Sequence, residues 1–432
     1  MSEPDYDPED LSFTDGVNEL RRVCGGTLEA LVITLTSHER PDVHYLRIFL
    51  MTYRTFTTSR ELLEFLIHRY HNQPPPGLKA ADLKIWFTQK QRVIKIRVTN
   101  VIRTWIESHL SNEDAKYILP KVIQFAARDM VDTTLSKGVT ISCEKRKLRG
   151  HLPHLMIANP PGDPPIVIIP RNKRYLEVID IDPLELARQL TLLESNLFRQ
   201  IAVPECLAKV WQNKEVDMSN LTRLIDMNNS VTHWVGKTIL DQSETKKRAN
   251  VIKHFIATAE RCHQLRNFST VIQIVAGLTM TPVFRLRSTW EKISQKNLSV
   301  LSDLGTLMSP TKNYIAYRDM MKTISPPCVP FIGVYLTDLT FIGDGNPDNL
   351  KEKPHQINFD KRRKSAEVMI EMQSIQSMPY HLISVQSILD FLKISFENLP
   401  NEKGLYSMSL GIEPREKADE KVAKLLSESG FI

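Results

Sequence analysis

The sequence predicts an all-α protein built as two helical domains, on three observations. Apolar residues recur at helical spacing from about residue 15 to residue 137. They do so again from Asp182 onward. The stretch between, residues 138–181, has prolines at 153, 160, 161, 164, 165 and 170 and glycines at 138, 150 and 162, which oppose long helices. At 432 residues the chain exceeds one ordinary core, which agrees with two domains. A hydrophobic share of 42% beside 25% charged residues is that of a soluble globular protein.

Residues 1–15 carry six acids, two prolines and no base, and are expected to be a flexible lead-in. Residues 16–137 make the first domain. In NELRRVCGGTLEALVITLTSH, Gly25-Gly26 is a break, after which Leu28, Leu31, Val32 and Leu35 share a helical face. Pro41 opens the next piece, with Tyr45, Ile48, Phe49 and Thr52 available for burial. TFTTSRELLEFLIHRY begins with a Thr/Ser cap cluster and runs on Leu62, Leu63, Leu66 and Ile67. Pro74-Pro75-Pro76-Gly77 is a loop, and helices follow over 90–110 and 113–128.

Residues 138–181 are the linker. Its β-branched run Ile166-Val167-Ile168-Ile169, bounded by prolines, allows at most a minor short strand. The second domain, 182–432, opens with Asp182 as N-cap, Pro183 in the first turn and Glu185 as capping glutamate. Leu186, Leu190, Leu193 and Leu197 follow at helical spacing, and further helices are readable over 220–240, 244–264, 268–278, 314–324 and 414–427.

No apolar run reaches ~18 residues, which excludes a membrane-spanning helix. The acidic start MSEPDYDPEDLSF is no secretory signal, so a cytoplasmic protein is expected. Cys24, Cys143, Cys206, Cys262 and Cys328 are scattered and never in a CxxC pair, which fits buried structural thiols. A net charge of +6 allows an acidic protein or anionic lipid as partner. Nucleic acid is not expected, since no basic face carries interleaved aromatics.

Neither a metal nor a cofactor is expected. Gly236-Lys237-Thr238 lacks the first glycine of a phosphate loop, Val231 standing in its place. Asp344, Asn346 and Asp348 match the first ligand positions of a calcium loop. Asn349 and His355 occupy the glycine and glutamate positions, so calcium is rejected. His68/His71 and His151/His154 have no ligand partner at metal spacing. Lys361-Arg362-Arg363-Lys364 reads as a solvated helix face, and with Ser365 it also fits a basophilic kinase site.

One stretch remains. VPFIGVYLTDLTFIGDGNP ends in an acidic turn, and a polar helical segment resumes at Asn358 as NFDKRRKSAEVMIEMQSI, so the two make a hairpin. The first arm is divided between strand propensity (Val334, Tyr335, Thr337, Thr340, Phe341) and a helical face of Phe331, Tyr335, Leu339 and Ile342.

This stretch resembles the signature of Ras-family guanine-nucleotide exchange factors of the Son-of-sevenless and yeast cell-division-cycle type. LRIFLMTYRTFTTSRELLEFL resembles the Ras exchanger motif that precedes the catalytic domain in that family, and ARQLTLLESNLFRQI its opening helix. The resemblance implies that both arms are helices, forming a protruding hairpin that opens the nucleotide site of a small GTPase. It places Asp344 where the family has an acid, usually glutamate, and Thr340 at a metal-occluding position, with Phe341 beside it to supply bulk. Phe331, Thr337, Gly345 and Asn346 complete the candidate exchange residues. In GLTMTPVFRLRSTW, Thr279 replaces a common asparagine, while Pro282, Phe284 and Arg285 match. Asn228, Asn229, Trp234, Tyr314 and Lys364 are the remaining candidates for contact with the GTPase.

The resemblance implies an exchange factor with no covalent chemistry, acting on a Ras-family GTPase of the Ras or Rap kind, with peripheral recruitment to membranes through partners. The alternative is a scaffold of the same fold that binds a GTPase without releasing its nucleotide.

Overall fold

The computed structural model of the chain describes residues 5–14, 22–39, 41–130, 133–149, 162–170, 175–207 and 219–414. The architecture is all-α, and among the described residues the one sheet has three short strands. These are β1 (Leu11–Phe13), β2 (Val23–Gly26) and β3 (Ile357–Asn358), antiparallel in that order. By internal contacts the chain falls into two units. Met1–Met156, Ala202–Lys209 and Leu336–Gln373 make the first; Ile157–Ile201, Val210–Tyr335 and Ser374–Ile432 make the second. Residues 336–373, which lie in the second domain by sequence order, thus group with the N-terminal helices.

In the first unit four helices start at side-chain caps. Thr27, Asp42, Thr58 and Ser111 each accept a first-turn backbone N–H, opening Leu28–Leu35, Val43–Thr52, Ser59–Tyr70 and Asn112–Asp129. Leu31, Ile48, Phe49, Leu62, Leu66, Ile94, Val98, Ile102 and Trp105 are fully buried at the spacings read from the sequence.

Three expectations for this unit are corrected. The lead-in holds β1, and Asp5 accepts hydrogen bonds from Lys90 and, at 2.7 Å, from Arg69. Gly25 and Gly26 lie within β2 rather than in a helix break; a Cβ on Gly25 would stand 2.5 Å from Leu350 Cδ1 and 3.0 Å from the Ile357 carbonyl, so any other residue there requires Leu350 to move. Residues 133–149 form one helix that runs well into the expected linker. Its prolines begin only at Pro153, so nothing breaks the helix earlier, and Arg146 anchors it by donating to the Leu110 carbonyl at 2.8 Å.

Burial pulls the Asp5 carboxyl upward in pKa, but hydrogen bonds from Lys90 and Arg69 outweigh that and hold it below the ordinary value. A depressed acid stabilises the fold above its unfolded pKa, and that stability is lost as pH falls through the depressed value. The stability gap between wild type and Asp5→Asn is therefore expected to shrink as pH drops below about 4. Urea titrations across pH 2–7 check this, and a gap independent of pH contradicts it.

In the second unit Asp182 caps the Pro183–Gln200 helix, accepting from Leu184 N at 2.8 Å. Glu185 does not complete a capping box. It is fully buried, and its Oε2 accepts from Ile168 N at 2.9 Å and from Arg188 at 3.0 Å. Residues 166–169 consequently form no strand: their backbone bonds to Glu185 and Arg188 instead of to a neighbouring strand. The helices Asn220–Leu240 and Phe268–Thr279 pack closely at Gly277, where a Cβ would meet the Thr232 carbonyl at 2.8 Å. The expected 314–324 helix is confined to Ile315–Met321. The helix expected over 414–427 falls almost wholly outside the described residues, as do His151 and His154. Among the described residues, no helix is long and apolar enough to cross a membrane.

Candidate functional site

The first arm of the hairpin is helical, Ile332–Gly345, and the second is the helix Phe359–Gln376. The first arm stops because Asn346-Pro347 cannot continue it. A helix end leaves carbonyls without partners. Here one ammonium serves two carbonyls at the turn: Lys361 Nζ, on a residue 8% exposed, donates to the Gly343 carbonyl at 2.8 Å and the Asn346 carbonyl at 2.7 Å. A cation at a helix C-terminus is also favoured by the helix dipole. Asp348 pairs with Lys361 at 3.1 Å and Arg362 at 2.8 Å. Burial raises the Asp348 pKa, but hydrogen bonds from Lys361 and Arg362 outweigh it and leave the carboxyl below its ordinary value.

The connecting segment is tied to the N-terminal part of the same unit. β3 pairs with β2, Gln356 donates to the Glu9 carbonyl at 2.7 Å, and Arg363 donates to the Val23 carbonyl at 2.6 Å. Phe359 opens the second arm fully buried, its ring 4.7 Å from Tyr45. The run Lys361–Lys364 is therefore not a solvated face: three of its four side chains are buried or half-buried, Lys361 and Arg362 holding the turn and Arg363 bonded to the Val23 carbonyl. Ser365 is half-buried and bonded to the Lys361 carbonyl at 3.1 Å, with Arg362 and Arg363 already engaged, which counts against a kinase site.

On this frame the predicted exchange residues take distinct places. Phe341 is 64% exposed, and Asp344 and Gly345 are exposed at the end of the first arm. Thr337 and Thr340 are half-exposed, and the Thr340 hydroxyl donates to the Leu336 carbonyl at 2.8 Å. Asn346 holds the turn, its amide donating to the Ile342 carbonyl and its Oδ1 accepting from the exposed Lys364 at 3.2 Å. Phe331 lies at the base of the arm, half-buried, its ring 5.4 Å from Tyr314.

The remaining candidates lie in the second unit. Asn229, Thr279 and Phe284 are exposed, Phe284 at 68%. Thr279 ends its helix with its hydroxyl turned onto the Val275 carbonyl at 2.8 Å. Pro282 is buried, and its carbonyl accepts from Ser409 at 2.6 Å, while Arg285 donates to the Ser409 carbonyl at 3.0 Å. Ser409, on the Glu402–Ile412 helix, thus fixes the 281–285 turn, a part that the sequence did not signal. Tyr314 is half-buried with left-handed backbone, φ 60°. Trp234 is corrected from a contact residue to a core one: it is 3% exposed, its ring edge-on to Phe255 and Phe396. Asn228 is half-buried beside a second feature missed in the sequence, the fully buried Glu194. Burial raises the Glu194 pKa, and hydrogen bonds from Thr270 and Gln273 pull partly the other way.

Residues 185–363, from the opening helix of the second unit through the hairpin turn, match the RasGEF domain. Residues 22–125 match the RasGEF N-terminal motif. The chain belongs to the RasGEF family. This RasGEF is 36% identical over 406 residues to cell division control protein 25 of Candida albicans, an overlap covering 91% of the chain and 30% of that protein. It is 33% identical over 449 residues to cell division control protein 25 of Saccharomyces cerevisiae, covering 94% of the chain and 28% of that protein. It is 33% identical over 407 residues to the Ras guanine nucleotide exchange factor efc25 of Schizosaccharomyces pombe, covering 91% and 40%. The chain therefore spans well under half the length of these relatives.

Proposed function

We propose that this RasGEF catalyses nucleotide exchange on a Ras-like small GTPase of the Ras or Rap kind, binding it through the 279–285 turn and the Asn228–Asn229 positions and opening it with the hairpin. A small GTPase grips its nucleotide through a phosphate loop, a lysine, a magnesium ion and two switch loops. Release needs no bond to be made or broken. It needs a protein that prefers the open state, because differential affinity alone shifts such an equilibrium. Thr340 and Phe341 obstruct the metal position, and Asp344 occupies the polar groups that held phosphate. Recruitment to the membrane face where the GTPase resides falls to other partners.

The observation that carries this reading is an exposed apolar and acidic tip, Phe341 and Asp344, on a helix end pinned from beneath by Lys361. A lever must be exposed where it acts and stiff where it is held. A carboxylate accepting donors on the partner contributes about 1.5–3 kcal/mol, so Asp344→Ala is expected to slow release about 10–100-fold. The test is release of fluorescent GDP from a panel of Ras, Rap and Ral proteins, and no acceleration of any member sinks the proposal.

The scaffold alternative draws on one observation. Thr279 and Thr340 both satisfy their hydroxyls within their own helices, leaving no asparagine amide at the first position and no bulky apolar group at the second. The pair Thr279→Asn and Asp344→Glu separates the readings. If the natural chain is inert and the pair restores release, the scaffold reading stands.

A further inference from the structure

Glu194 lies in the Pro183–Gln200 helix with no exposure to solvent, beneath the Asn228 position proposed to meet the GTPase. Its Oε2 accepts from the Thr270 hydroxyl at 2.6 Å and its Oε1 from the Gln273 amide at 2.7 Å. Asn228 reaches the same carboxylate from the Asn220–Leu240 helix. With its amide nitrogen inward, Asn228 donates to Glu194 Oε1 at 3.0 Å and to the Leu224 carbonyl at 3.0 Å, and that nitrogen stands 2.8 Å from Gln273 Nε2. The reverse orientation sets its oxygen against Glu194 Oε1 and the Leu224 carbonyl, two acceptors against the one donor on Gln273, and the charged carboxylate weighs most in that choice. A buried carboxylate is costly to keep. A glutamine of the same shape could donate as well as accept, which removes the strongest acceptor facing Asn228 and weakens the preference for nitrogen inward, leaving only the Leu224 carbonyl to favour it.

We propose that Glu194 is a positioning residue for nucleotide release: it holds the Asn228 amide nitrogen inward, so that the carbonyl oxygen is the group offered to the GTPase. The partner must then place a hydrogen-bond donor there, a backbone N–H or a basic side chain. This rests on the exchange reading above and adds to it the polarity of one contact.

Two measurements test it. In the free protein labelled with 15N-asparagine, the Asn228 side-chain amide, assigned by its loss in Asn228→Ala, is expected to resist deuterium exchange. In Glu194→Gln it is expected to exchange at least about tenfold faster, the equivalent of one hydrogen bond of about 1.4 kcal/mol. In the release assay, Glu194→Gln is expected to raise KM for the loaded GTPase about tenfold at nearly unchanged kcat. It adds no further loss in the Asn228→Ala background.

A purely structural Glu194 gives the same loss in both backgrounds, and that result overturns the role, as does an unprotected Asn228 amide in the wild type. If Glu194→Gln does not fold, Asn228→Asp serves, since its inner oxygen faces the Glu194 carboxylate and like charges repel. Its loss should match that of Asn228→Ala, and full activity overturns the role. A wild type inert towards every GTPase overturns the exchange reading and this role together. An active wild type with uncoupled variants overturns this role alone.

Discussion

Phe359→Ala is expected to destabilise the first unit by about 3–5 kcal/mol and to slow nucleotide release with it. The ring is fully buried, 4.7 Å from Tyr45 and 6.4 Å from Phe49, at the first residue of the second arm. Truncation leaves a cavity where the hairpin meets the Val43–Thr52 helix, and close-packed surroundings relax only partly. Thermal unfolding should begin at a lower temperature, and the release rate should fall even well below that temperature, because the second arm loses its seat. Phe341→Ala is the comparison. Its ring is 64% exposed, so stability should change by less than about 0.5 kcal/mol. Equal stability losses for the two substitutions would contradict the packing argument.

Lys361→Met is expected to separate geometry from stability. The ammonium serves two carbonyls at the end of the first arm and pairs with Asp348. Methionine keeps the length and apolar stem but leaves those carbonyls unanswered, at about 1–3 kcal/mol each where they stay buried. The end of the arm should fray locally. Misplacement of an acting group by about 1 Å costs on the order of 100-fold in rate, so release should fall by about that factor. Deuterium uptake should rise in peptides covering residues 340–350 and remain unchanged in the Asn220–Leu240 helix. Faster uptake with an unchanged release rate would mean that the held tip is not what opens the nucleotide site.

The parts of the fold legible in the sequence are those set by neighbours along the chain. Caps such as Asp182 and Thr58 act within three residues of themselves, and the stripes Leu62, Leu66 and Ile94, Val98, Ile102 reach the core as their spacing implies. The exposed tip could be placed because Asn346-Pro347 ends a helix wherever it occurs. What stayed illegible depends on distant partners. Arg363 reads as one more exposed base until Val23, 340 positions away, supplies its acceptor. Glu194 carries no signal of its own in the sequence, because its partners Thr270 and Gln273 lie 76 and 79 positions on. The leucine stripe of that opening helix is shifted for the same reason. Thr191, Glu194 and Ser195 are buried while Leu193 and Leu197 are only half-buried, so hydropathy points to the wrong flank. Trp234 reads as a GTPase contact because resemblance gives position along the chain but not which side of a helix meets solvent.

The central claim is that a pinned hairpin tip drives release, and the release rate at saturating GTPase tests it most directly. Wild type and the combined Phe341→Ala, Asp344→Ala protein should be compared on a GTPase loaded with fluorescent GDP, with affinity for the nucleotide-free GTPase measured alongside. The account predicts fast release by the wild type and a loss of at least about 100-fold in the variant, with binding weakened far less. Full release by the variant would contradict it.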